Sequence, residues 1–151
     1  MPRPDHGDTP RLVALCLDNP VTLLAVRFCV VAPFLAAGII KLLDWQAGEA
    51  EMEHTGLHPA WIFNLASLLT ELGGSALIIL NRQIWLGAGA LGVFTVLATL
   101  LAHRFWDLSG EARMMQFNTF LEHATISAAF ILIVVVQLRP RVRLDLGDER
   151  S

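Results

Sequence analysis

Residues 84–102, IWLGAGALGVFTVLATLLA, run nineteen positions without a charge and stop at His103-Arg104-Phe105-Trp106. As a helix rising about 1.5 Å per residue, the segment is about 28 Å long, close to the roughly 30 Å hydrocarbon core of a bilayer. His103 is either a ligand or proton carrier, or the point where an apolar helix meets water. What surrounds it decides which. Three more segments are long and apolar enough to cross a membrane: 21–43, interrupted only by Arg27 and Lys41; 60–80, with the single acid Glu71; and 117–138, with Glu122 and His123 near its start.

Four such stretches in 151 residues leave little polar sequence to wrap a soluble core. The chain is 54% hydrophobic and 17% charged, lacks tyrosine, and has a mean hydropathy of +0.54. The fold class is therefore all-α, a membrane four-helix bundle with short loops. It occupies residues 20–138, between an N-terminal segment (1–19) and a tail (139–151). The first span is long, contains Arg27 and lacks a clear A-x-A site, so it reads as a retained helix rather than a signal peptide. A short interfacial helix is expected over 11–17. Gly56-Leu57-His58-Pro59 reads as a turn feeding the second span.

A net charge of −3 and scattered cations argue against a nucleic-acid surface. Cys16 and Cys29 form no CxxC pair and read as ordinary thiols. Orientation follows from the arginines. Arg3, Arg11, Arg82, Arg139, Arg141, Arg143 and Arg150 flank one side, whereas the first loop carries Asp44, Glu49, Glu51 and Glu53 without a cation. Both termini are expected in the cytoplasm, in a multi-pass protein of the bacterial inner membrane. Trp45, Trp61 and Trp106 would anchor the outer boundary and Trp85 the inner one.

Ionisable side chains at membrane depth are costly, and they face the bundle interior, pair, or serve function. Arg27, Phe34, Gly38 and Lys41 share one helical stripe; Asn64, Ser67, Glu71 and Ser75 share another; Ala88, Gly92, Thr95 and Thr99 a third, with His103 at its edge. Depth counted from the span ends pairs Arg27 with Glu71. That pair either fixes helix register or leaves Glu71 to carry protons or hold a polar head group. The same counting brings Lys41, His103, Glu122 and His123 together at the outer boundary, with Glu122 neutralising Lys41 or accepting from His103. Two histidines and a glutamate suggest zinc, but Glu122 and His123 diverge by about 100° on a helix, so no metal site is assigned.

RFCVVAPFLAAGIIKLLDW (27–45), ELGGSALIIL (71–80), LATLLAHRFW (97–106) and QFNTFLEHATISAAFIL (116–132) together resemble the DoxX family of four-helix membrane proteins. The matching features are Arg27 early in the first helix, Gly38 and Lys41 ending it, Glu71 with Gly73 and Gly74 in the second, and His103 closing the third. Asn81 stands where a glycine is expected, and Pro33 suggests a local kink. The resemblance implies association with membrane oxidoreductase systems or thiol and oxidative-stress functions, with related proteins acting as chaperones or cargo receptors. No intrinsic cofactor motif is present, so a bound quinone or a redox partner protein would carry the electrons. Two readings stay open. One is a non-catalytic accessory or assembly subunit of a membrane redox system. The other is a subunit binding a quinone-like or amphipathic ligand through Glu71, Arg27 and His103. Catalytic turnover is decided by neither.

Overall fold

The structure, a computed structural model, describes residues 10, 13, 15, 16 and 19–148. The expected helix over 11–17 lies largely outside those described. Five helices follow in order: α1 (Pro20–Leu43), α2 (Trp45–His54), α3 (Ala60–Ile79), α4 (Ile84–Ala102) and α5 (Gly110–Asp148), with a single 3₁₀ turn at Phe105–Asp107 before α5. α1, α3, α4 and the first 28 residues of α5 are long and apolar enough to span a membrane. All backbone groups of such a span must be satisfied internally, which a helix alone achieves in an open chain.

Local chemistry sets the ends. Asn19 Oδ1 accepts from the Val21 amide at 2.8 Å, and Pro20 opens α1, where its missing N–H costs nothing. α1 stays helical through Pro33. Asp44 ends α1 and at once caps α2, its Oδ1 accepting from the Ala47 amide at 3.0 Å. α3 closes on Asn81, whose φ of +56° is left-handed. The Asn81 and Arg82 amides donate to Ile78 O and Leu77 O, so asparagine does here what glycine does elsewhere.

The helices extend beyond the apolar spans in two places. Within the first loop, residues 45–54 form α2, which the hydropathy reading passed over because only Gly48 and Met52 are buried. The fourth span, 117–138, lies within a longer helix that begins at Gly110 and continues to Asp148. Apolar content marks the part of a helix that lies in lipid, not the ends of the helix itself.

Successive spans pack as neighbours, α1 on α3, α3 on α4 and α4 on α5, while α2 lies across α3 and the end of α1. The core is small: Val31 and Phe34, Ile78, Ala88 and Leu91, and Phe130. Phe34 closes the ring by meeting Phe130 with centroids 5.5 Å apart. Between α3 and α4 the backbones nearly touch, because a Cβ on Gly87 would lie 2.8 Å from Gly74 O and one on Gly74 2.7 Å from Leu91 Cγ. Close backbone approach replaces the hydrophobic drive that lipid removes. Gly87→Val should therefore lower stability by about 1–3 kcal/mol, read by thermal unfolding in detergent. Gly73→Ala, which meets nothing within 4 Å, should stay within about 1 kcal/mol of the parent.

Candidate functional site

Lys41, Glu71, Glu51, His103 and His123 gather at the end of the bundle that carries α2, here termed the lid end, in two clusters. The first is built on Gly38. A Cβ there would lie 2.6 Å from Leu72 Cδ2 and 3.4 Å from Glu71 Cβ, so α1 and α3 are in contact at the level of Glu71. Lys41, one turn further along α1, leans back toward its own N-terminus, and Glu71 leans toward its own; in antiparallel helices these directions converge. Lys41 Nζ donates to Glu71 Oε1 at 3.1 Å and lies 3.3 Å from Glu51 Oε2 of α2. The Lys41 and Glu71 side chains are 8% and 3% exposed, whereas Glu51 is 57% exposed. Asn64 Nδ2 donates to Trp45 O at 3.2 Å, tying α3 to the start of α2. Gly48 of α2 rests directly on the Asn64 amide. Asn64 Oδ1 and Glu71 Oε2 are sealed and lack a partner among the described residues.

Glu71 is thus paired with Lys41, not with Arg27. Level with Glu71 is Gly38, and Arg27 lies eleven residues further down α1, about 16 Å away by helix rise and beyond a side chain's reach. Counting depth from span ends assumed that those ends are level, but α1 overshoots α3 at the Arg27 end. There Arg27 is half-buried and has no ion pair among the described residues. It lies seven residues below Phe34, as Gln137 lies seven beyond Phe130; Gln137 Nε2 donates to Asn81 Oδ1 at 3.2 Å. Arg27 is accordingly level with the α3–α4 turn, close to a membrane boundary where its long side chain reaches water.

The second cluster joins α4 to α5. Thr99 Oγ1 contacts His123 Nδ1 at 2.7 Å, and His103 Nδ1 contacts Gln116 Oε1 at 2.6 Å. The two imidazoles meet edge-on with centroids 4.9 Å apart. Phe105 packs on Trp106, Phe117 and Phe120 at 5.2–5.3 Å and caps this corner, while Arg104 pairs with Asp107 at 2.8 Å. The expected four-residue convergence is therefore split. His103 and His123 come together; Lys41 belongs to the first cluster; Glu122 is exposed and neither neutralises Lys41 nor accepts from His103. The roughly 100° between adjacent helix positions turns Glu122 out when His123 turns in. Among the described residues no group of three His, Cys, Asp or Glu side chains is placed to hold a metal.

Glu51, Gln116 and Thr99 went unassigned to either cluster in the sequence. Asp44 as a cap, followed by Gly48 and Met52 at i,i+4 spacing, was the signal for the helix that presents Glu51.

The DoxX family profile matches residues 22–104, more than half of the chain. The chain belongs to the DoxX family. Inner membrane protein YphA of Escherichia coli K12 is 26% identical over 121 residues, covering 78% of this chain and 84% of that protein. The Surfeit locus protein 4 homolog of Drosophila melanogaster is 24% identical over 111 residues, covering 72% of this chain but 38% of that one. No solved structure matches significantly. This DoxX-family chain is a multi-pass inner-membrane protein, and Arg27, Gly38, Lys41, Glu71 and His103 all fall inside the matched region.

Lys41→Met should cost about 3–5 kcal/mol, because it strands the Glu71 carboxylate in a sealed site; Lys41→Met with Glu71→Leu should recover most of that loss. Glu51→Gln, at an exposed partner, should cost less than about 1 kcal/mol. Unfolding of the purified variants in detergent checks all three.

Proposed function

We propose that this protein is a non-catalytic accessory or assembly subunit of the inner membrane, docking on a partner in a membrane redox system. The observation that carries the reading is Glu122. Gln137 bonded to Asn81 puts the α3–α4 turn level with Gln137, and Glu122 lies fifteen residues above it, so in a core of about 30 Å it sits about 8 Å inside the lid-end boundary. Its side chain is exposed there, as are Thr125 a turn deeper and Asn118 close to the boundary, on the same flank. Lipid cannot satisfy a carboxylate, and its short stem reaches water far less readily than lysine's or arginine's. A membrane partner presenting a cation or hydrogen-bond donor at that depth can. The Lys41 and histidine clusters, by contrast, bind the helices of this chain to one another. The redox association rests on the family resemblance. The arginine distribution supports cytoplasmic termini, with the lid end facing the periplasm.

A second reading, binding of an amphipathic ligand, is favoured by a groove of about 900 Å³ between α4 and α5. Arg27 lies about 16 Å of helix rise from the level of Glu71, so these two do not hold one head group together.

A photo-crosslinking residue at 118 or 125 in native membranes should capture a protein, and Glu122→Leu should abolish the adduct while leaving unfolding unchanged. Adducts to lipid alone, or protein adducts equal to those from exposed Leu132, would sink the docking face. In a Cys16→Ser, Cys29→Ser background, a cysteine at Gln46 should label from the periplasm; labelling only after permeabilisation would reverse the orientation.

A further inference from the structure

α5 is held on one side only. Its extended contacts run to α4 and to the 3₁₀ turn before it, and among its described residues Phe130 alone is buried. His123, Ser127, Phe130 and Val134 turn toward α4. The opposite flank carries a second pattern. Asn118, Thr125 and Leu132 recur every seven residues, and Glu122, Ala129 and Val136 follow each of them by four. That is the a/d spacing of two helices wound about one another. Ala129 is half-buried and the other five are exposed. From 118 to 136 this seam rises about 27 Å, nearly the depth of a membrane core.

Copies of one multi-pass chain cross the bilayer in the same direction, so α5 of one meets α5 of another parallel and level with itself, about a two-fold axis. Neither Asn118 nor Glu122 is hydrogen-bonded through its side chain to another described residue. Thr125 Oγ1 already donates to Leu121 O at 2.9 Å. The Asn118 amide supplies two N–H donors, and the Glu122 carboxyl supplies acceptors. Glu122 leans toward its own N-terminus, and so toward the level of Asn118. Two amides and two carboxyls then alternate about the axis, each amide giving one N–H to the Glu122 of its own chain and one to that of the other. On the reading of Glu122 as a docking residue, we infer that the occupant of this flank is a second copy of the chain, α5 against α5, with Asn118 and Glu122 of both copies in one polar layer. A cation on a foreign partner would answer Glu122 but not the N–H groups of Asn118; a second copy answers both. Below that layer the small Thr125 and Ala129 let the two backbones approach, and Leu132 and Val136 continue the seam.

The test uses the full chain in a Cys16→Ser, Cys29→Ser background, reconstituted in phosphatidylcholine liposomes and oxidised with copper phenanthroline. Thr125→Cys, Ala129→Cys and Leu132→Cys should each give a disulfide-linked dimer. Ala124→Cys and Ile131→Cys, exposed on other flanks, should not. Added to Thr125→Cys, Glu122→Leu should raise the protein-to-lipid ratio needed for half-linkage about tenfold, as loss of an interhelical hydrogen bond predicts. Glu122→Gln, whose amide still joins the layer, should keep the parent's ratio. Thermal unfolding in detergent checks that both variants are folded. Equal linkage at all five positions, no dimer at any, or an unchanged ratio in Glu122→Leu would overturn the second copy. In native membranes, photo-crosslinking residues at 118 and 125 should capture this chain itself. Capture of a different protein alone, lost in Glu122→Gln, would overturn the dimer and keep the docking face. Lipid adducts alone would overturn both.

Discussion

The Lys41 ammonium, held between Glu71 and Glu51, sets the arrangement of the lid end. A lone carboxylate on α3 at that depth would be intolerable in lipid, and so would a lone ammonium on α1. Bringing them together fixes which residues of α1 and α3 are level, and α2, seated by Gly48 on Asn64, sets the exposed Glu51 beside the pair. Such a pair is poor evidence of net stability, because desolvation offsets much of the attraction. Its value is register. Gly38 permits the approach, Lys41 one turn later completes it, and exchanging either residue removes the reason for the other.

That logic explains why the spans were legible in the sequence while their partners were not. Apolar length alone located α1, α3, α4 and the membrane part of α5, and helical periodicity picked out the buried stripe of Asn64, Ser67, Glu71 and Ser75. Glu71 was assigned to Arg27 because depth had to be counted from span ends. The contact of Gly38 with Leu72 staggers α1 against α3, and nothing in hydropathy records a stagger. α2 escaped for a related reason. A helix lying over a bundle end buries only Gly48 and Met52, so its signal was the Asp44 cap rather than an apolar face.

Asn81 shows how a side chain can take over a turn position that usually favours glycine. The position needs a left-handed residue to end α3, and asparagine tolerates that conformation better than most side chains. It also offers Oδ1 to Gln137, a contact glycine lacks, and so binds the turn to α5. The residue that ends α3 thereby also connects the third and fifth helices.

Helices adjacent in the chain are adjacent in space, except where the ring must close. Among the described residues α1 and α5 share no extended interface there and meet through Phe34 and Phe130. With no hydrophobic drive between helices in lipid, this bundle resembles a book whose spine is the glycine contact of α3 with α4 and whose covers touch at a single aromatic clasp. During synthesis that clasp forms last, once α5 arrives. In the finished protein the fore-edge holds the fewest contacts between neighbouring spans, so a loss at Phe34 or Phe130 is felt there first.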